Sequence, residues 1–275
     1  MPISLGHFYL VALLIFSTGP VLAAPASKLV DAHWEVNDPQ SVRVVDHTKW
    51  DQFIKTYSVK SKDGIVRIRY GAVTAEDRTI LDNYVEGLQT EVVSSFRRNE
   101  QRALWINLYN AVTIKLVLDY YPLKSIRDVK PGGWFSPSPW DHPLMLVESR
   151  PLTLNDIEHG ILRPIWQDAR LHYALNCVSL GCPDIAREAY SADNTEQLLE
   201  AGARQYINHS RGVRVEGGTL TVSKIYKWYR ADFGGDDAAI IAHIRRYAAP
   251  PLARQLQGIR QISQYEYIWL LNDAE

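Results

Sequence analysis

The alternation of apolar and polar positions divides the chain into short elements. Residues 66–73 (VRIRYGAV) alternate with period two and predict a strand. Thr74 then starts a helix with Glu76 and Asp77 in its first turn. Leu81, Tyr84, Val85, Leu88 and Val92 form its apolar stripe. Asn99 is placed to cap a longer helix over 100–121, which Pro122 stops. A short helix is expected over 155–162, with Asn155 and Glu158 as a capping pair. Residues 171–177 (LHYALNC) form a mostly apolar run that predicts a buried strand, and short helices are expected over 183–190 and 195–208. Two alternating strands flank Gly217-Gly218 within 213–222, a strong hairpin signal. Helical stretches follow over 224–232 and 236–247, and 265–271 (YEYIWLL) predicts a last strand. Helices outnumber strands and no βαβ regularity is present. The expected fold class is therefore α+β: a helix-rich single domain with a small, mostly antiparallel sheet, papain-like or transglutaminase-like in type.

The N-terminal pattern is different. Residues 1–26 contain no Asp, Glu, Lys or Arg, and 9–16 (YLVALLIF) form a short apolar core. Thr18, Gly19 and Pro20 break that core, and small residues follow. This predicts a secretory signal peptide over 1–23, although its first residues lack Lys and Arg. An uncleaved anchor is the alternative. No later segment reaches the length of a membrane span. The expected organisation is a leader, an N-terminal extension over 24–44 and one domain over 45–275. The expected location is outside the cytoplasm, periplasmic or secreted.

Composition removes several classes. The 275 residues carry 30 basic and 31 acidic side chains, a formal charge of −1, which does not suit a nucleic-acid binder. An apolar fraction of 46% argues against disorder. Two cysteines are too few for a disulfide scaffold, but they stand five residues apart. No phosphate-cradling glycine loop, G-x-S-x-G elbow or H-E-x-x-H helix is present. No cofactor is expected.

Candidate chemistry concentrates in 158–183, with Glu158, His159, Arg163, His172, Asn176, Cys177, Cys182 and Pro183. Pro183 suits the first position of a helix, which would place Cys182 at its N-cap, where free N–H groups and the helix dipole favour a thiolate. On a strand, His172 and Asn176 would share the face opposite Cys177. His159 and Arg163 are four apart, on one helical face. A thiolate beside a histidine is the basic unit of Cys-dependent acyl transfer. Other readings compete: a Cys177–Cys182 disulfide, favoured by an oxidising compartment; a metal site of His159, His172, Cys177 and Cys182, whose spacing fits no standard finger; and ordinary buried histidines. Asn107 and Asn110 share a face of the apolar helix. They are expected to tie the Pro/Gly/Trp-rich loop over 130–143, or to line a pocket. The basic-aromatic run 223–233 (SKIYKWYRADF) reads as a solvated helix face with an aromatic edge towards the core.

Residues 103–117 (ALWINLYNAVTIKLV), 157–163 (IEHGILR), 171–185 (LHYALNCVSLGCPDI) and 223–234 (SKIYKWYRADFG), together with 265–272 (YEYIWLLN), resemble domain-of-unknown-function family 547. The resemblance covers about 45–272 and keeps the family's motif order. It implies that Asn107, Asn110, His159, Arg163, His172, Cys182 and Pro183 fall on featured positions, whereas Cys177 falls on a more variable one. It implies bacterial members that often carry a signal peptide, and no established reaction. The resulting expectation is a Cys-dependent hydrolase or acyl transferase acting on a small peptide or amide. Cys182 would attack, His172 or His159 would act as base, and Asn176, Glu158 or a helix amide would orient it. The rival is a non-catalytic envelope binding module with a Cys177–Cys182 bridge.

Overall fold

A computed structural model describes residues 24–133 and 138–274. The expected leader and the centre of the 130–143 loop lie outside the described residues. The helices are α1 (Thr48–Tyr57), α2 (Ala75–Gln89), α3 (Arg98–Tyr120), α4 (Arg163–Trp166), α5 (Thr195–Ile207), α6 (Ile225–Trp228), α7 (Asp237–Tyr247) and α8 (Pro250–Gln255). The strands are β1 (Ser58–Lys60), β2 (Val66–Ile68), β3 (Met145–Val147), β4 (Arg150–Leu152), β5 (Val213–Glu216), β6 (Thr219–Ser223) and β7 (Gln264–Glu266). β1–β2 and β3–β4 are separate antiparallel pairs. β5 and β6 form a hairpin to which β7 adds in parallel. The helix-rich α+β class is as expected, but the strands form three small sheets rather than one.

Apolar patterning explains the arrangement. The middle of α3 is apolar apart from a stripe of Asn107, Asn110 and Thr113, so α3 is buried nearly throughout and forms the axis of the larger core, packed by α2 and the segment before α4, with α1 against α2. The second core joins α5, the β5–β6 hairpin and α7. The two meet at 171–175, where Leu171 and Leu175 belong to the first and Tyr173 to the second. Thr74 caps α2 through Asp77 as its sequence indicates, and Asp236 caps α7. The hairpin register Val215↔Leu220 is set by Gly217 and Gly218, whose φ of 57° and 80° match a type I′ turn.

Several elements differ from the pattern reading, each for a physical reason. The strand expected over 66–73 ends at Ile68 and becomes a 3-10 turn. Asn99 does not cap α3; Arg97 occupies that position, and the Asn99 side chain accepts from the Glu100 N–H inside the first turn. Residues 171–177 are not a strand: Ala169–Tyr173 is a 3-10 helix followed by irregular backbone. A short apolar run signals burial without specifying backbone shape. The helix expected over 183–190 is absent, because its backbone groups pair with side chains instead: Asn176 donates to the Pro183 carbonyl, and Asp51 and Asn107 accept from the N–H groups of Ala189 and Tyr190. Cys182 and Pro183 therefore do not stand at a helix start. The end expected as a strand over 265–271 keeps only β7 and a bridge from Leu271 to Ser179.

Candidate functional site

The helix carrying Glu158, His159 and Arg163 runs over 154–166 and contains a π segment, Asp156–Leu162, that leads directly into α4. Its cap is Thr153, reciprocally bonded to Asp156, rather than Asn155 with Glu158. π segments widen a helix locally and occur at functional sites. Here the N-terminal extension lies against the widened turn. The Lys28 and Val30 N–H groups donate to the His159 and Gly160 carbonyls, and Val30 fills the space that a Cβ on Gly160 would need, 2.8 Å from the Val30 Cβ.

Around this turn a buried charge network assembles. Arg163 grips Asp232 with two donors, Nε to Oδ2 at 2.6 Å and Nη2 to Oδ1 at 3.0 Å. Its Nη1 donates to His159 Nδ1 at 2.9 Å and to the Pro25 carbonyl at 2.7 Å. His159 accepts at Nδ1 and is thus the neutral tautomer with its proton on Nε2. His172 Nε2 lies 2.7 Å from Asp232 Oδ2, and its Nδ1 lies 3.7 Å from Glu158 Oε1. The Tyr109 hydroxyl donates to Glu158 Oε2 at 3.2 Å. Tyr229 stacks on His172, with centroids 3.9 Å apart, and the Arg163 guanidinium lies over the Tyr229 ring, 5.1 Å from its centroid. Opposite charges thus alternate from Glu158 through His172 and Asp232 to Arg163.

The electrostatics follow from that alternation. Burial would push the Glu158 carboxyl up, but the His172 imidazole, through hydrogen bond and charge, and a Tyr229 hydrogen bond outweigh it and hold the carboxyl below its ordinary value. Asp232 is likewise held well below the usual carboxylate range: burial opposes ionisation, and His172 and Arg163 overcome it. Burial disfavours charge on His172, yet Asp232 and Glu158 raise its affinity for a proton above the ordinary value. His159 goes the other way, lowered first by burial and then by the Arg163 cation, despite Glu158.

Two further histidines make pH a test of the fold. Burial lowers His47 from 6.5 to about 4, against a small opposing effect of Asp46; burial and then Arg246 lower His243 to about 4. A folded-state value below the unfolded one means stability present near pH 6.5 and lost as pH falls towards 4. His172, with a raised value, has the opposite sign, but its contribution is complete below 6.5 and does not mask the loss. Denaturant unfolding at pH 5 is therefore expected to give roughly 1–2 kcal/mol less stability per lowered histidine than at pH 6.5. His47→Gln should shrink the difference; equal stabilities at the two pH values would refute the assignment.

The amides and cysteines have other partners. Asn107 pairs with both backbone groups of Tyr190, at 2.7 and 3.0 Å. Asn110 donates to the Ala174 carbonyl at 2.9 Å and accepts from the Asn176 N–H at 2.8 Å. Asn176 donates to the Pro183 carbonyl and accepts from the Val178 N–H. These amides therefore tie the irregular segment 174–190, not the 130–143 loop. Within it Cys177 and Cys182 are joined in a disulfide with Cα atoms 6.0 Å apart, and no described cysteine is free. The polar contacts of Cys182 Sγ are the Cys177 N–H at 2.9 Å and the Tyr267 hydroxyl at 3.4 Å, not an imidazole.

The structure thus joins Glu158, His159, Arg163 and His172 in one network of hydrogen bonds and ion pairs, and gives Asn107, Asn110, Asn176 and Cys182 other polar partners. Of the four suggested metal ligands, Cys177 and Cys182 are bonded to each other, and among the described residues no group of three or more His, Cys, Asp or Glu is arranged to hold a metal. Sequence pattern alone does not single out Asp232, Tyr229, Tyr109 or Tyr267. Asp232 and Tyr229 sit in the basic-aromatic run 223–233, where the periodicity pointed to a solvated face; an acid directly after Arg-Ala in a motif of a family was the only available signal. The network opens on a cleft of about 400 Å³ lined by Ser27, Arg163, Pro164, Gln167, Asp168, Ala231 and Asp232.

This is an α+β protein with a buried acid–imidazole–acid–guanidinium chain at the edge of a polar cleft. Residues 93–207 match the family model described as Protein of unknown function, DUF547, which assigns this stretch to the family that the motifs resemble. Comparison with curated proteins gives no match, and comparison with solved structures gives none. Among the described residues no helix is long and apolar enough to cross a membrane.

Proposed function

We propose that this chain is an exported binding module, its Cys177–Cys182 bridge formed in an oxidising compartment and its ligand held in the cleft beside Asp232. The observation that carries this reading is the commitment of every group that a thiol hydrolase needs. Cys182 Sγ is bonded to Cys177, His172 is locked between Asp232 and Glu158, and His159 is occupied by Arg163. Both ring nitrogens of His172 have a carboxylate as neighbour, Asp232 at Nε2 and Glu158 at Nδ1, rather than a thiol. Asp232 is a weak base because Arg163 and His172 stabilise its charge, so it suits hydrogen-bond acceptance better than proton abstraction. With Gln167, Asp168 and Ser27 it favours a small ligand rich in N–H or O–H donors. The charge-free apolar leader and its small-residue end support export.

A Cys-dependent hydrolase acting on a peptide or amide is the second reading, favoured by the two donors directed at Cys182 Sγ. Labelling with a thiol probe at pH 6 separates the two. The binding module is expected to show no reactive thiol before reduction. A single fast-reacting Cys182 in the untreated protein, lost in Cys182→Ala and slowed in His172→Ala, would replace it with the hydrolase.

A further inference from the structure

We infer that the Cys177–Cys182 bridge is a thiol–disulfide exchange site for a dithiol reductant, with Cys177 as the attacked sulfur and Cys182 as the leaving group. This inference is independent of the cleft and its ligand.

Three observations carry it. The first is asymmetry of access: Cys177 is partly exposed, whereas Cys182 is 3% exposed. An incoming thiolate therefore meets Cys177 Sγ. The second is the set of donors around the bridge. The Cys177 N–H lies 2.9 Å from Cys182 Sγ, and the Tyr267 hydroxyl lies 2.9 Å from Cys177 Sγ and 3.4 Å from Cys182 Sγ. Burial holds the Tyr267 phenol protonated, well above its ordinary range, so it remains a donor while charge develops on sulfur. Donors aimed at a leaving thiolate lower its proton affinity, and a thiolate of lower proton affinity leaves faster.

The third observation concerns the loop itself. Its backbone is held by bonds that do not involve sulfur. The Leu180 and Gly181 N–H groups donate to the Leu270 and Ile268 carbonyls, at 2.7 and 2.9 Å. The Asn272 N–H donates to the Val178 carbonyl, and the Tyr206 hydroxyl to the Gly181 carbonyl at 2.6 Å. Gly181 approaches 268 so closely that a Cβ would stand 2.7 Å from the Ile268 nitrogen. Opening the bridge therefore leaves the two sulfurs side by side, positioned to close again.

The exchange balances as follows. A thiolate of the donor attacks Cys177 Sγ, the S–S bond breaks, and its electron pair goes to Cys182 Sγ. The second thiolate of the donor then attacks its own sulfur in the mixed disulfide and expels Cys177 as a thiolate. The donor leaves as a disulfide, two electrons have passed to the protein, and Cys177 and Cys182 take up the two protons lost by the donor.

The test uses the full chain in native buffer with dithiothreitol as the dithiol, followed by alkylation and mass spectrometry. The bridge is expected to open without denaturant and to re-form when the reductant is removed. Tyr267→Phe should slow opening at least threefold. In Cys177→Ser, the Cys182 thiol should titrate below the ordinary value of about 8.5 by the pH profile of iodoacetamide labelling, and Tyr267→Phe should move that midpoint up. Opening only in denaturant, or opening at a rate indifferent to Tyr267 with a Cys182 midpoint at or above 8.5, would overturn the inference and leave the bridge a structural one.

Discussion

Arg163→Ala is expected to destabilise the protein by about 3–5 kcal/mol, the cost of stranding one partner of a buried ion pair. Arg163 is 6% exposed, and it is the group through which four others are satisfied: both oxygens of Asp232, His159 Nδ1 and the Pro25 carbonyl. Removing it leaves Asp232 with His172 as its one remaining named cation and frees the end of the N-terminal extension. Arg163→Lys should recover less than half of the loss, because a single ammonium cannot reproduce the two-point grip on Asp232 while also reaching 25 and 159. Thermal unfolding reads the first effect, as a fall of roughly 10 °C for a domain of this size. Limited proteolysis reads the second, as faster clipping within 24–30. A melting temperature within two degrees of wild type for Arg163→Ala would show that the network contributes little to the fold.

Asn110→Ala is expected to cost about 2–5 kcal/mol, the sum of two buried backbone groups left without partners. The Asn110 side chain answers both the Ala174 carbonyl and the Asn176 N–H, and Asn110 is 2% exposed. The segment it serves has neither helix nor strand to satisfy its backbone, so a side chain on α3 does the work of a ladder. Asn110→Asp is expected to be nearly as harmful: it keeps the acceptor for Asn176 but sets an oxygen against the Ala174 carbonyl. Denaturant unfolding measures the loss, and amide exchange at Asn176 should accelerate more than exchange in α2. Unchanged exchange at Asn176 would sink the clamp argument.

Much of the architecture follows from local pattern. The caps at Thr74 and Asp236, the hairpin around Gly217-Gly218 and the buried axis α3 each arise from residues close together in the chain. Backbone preference and apolar periodicity act over a few residues and are legible there. The same reasoning misassigned 171–177 and 183–190, where a dense mix of apolar residues, Asn, Cys and Gly satisfies its backbone through distant side chains. Asn107 reaches Tyr190 across 83 positions, and no periodicity records such a partner.

For the candidate site, residues were legible and relations were not. Glu158, His159, Arg163, His172 and Cys182 stand out by type and crowding within a few turns of chain, and the family resemblance rests on the same residues. Their grouping depends on Asp232, 60 positions beyond His172 and 69 beyond Arg163, which pairs with both, whereas Cys182 is bonded to Cys177. The chain by itself determined a helix-rich α+β domain, a family resemblance and the stretch where charge and sulfur concentrate, because those depend on composition and local order. Only the tertiary structure decided that His172 stands between two carboxylates and that Cys182 is bonded to Cys177 beside Tyr267. Charge pairing depends on distance in space, and the groups that meet here come from segments far apart along the chain.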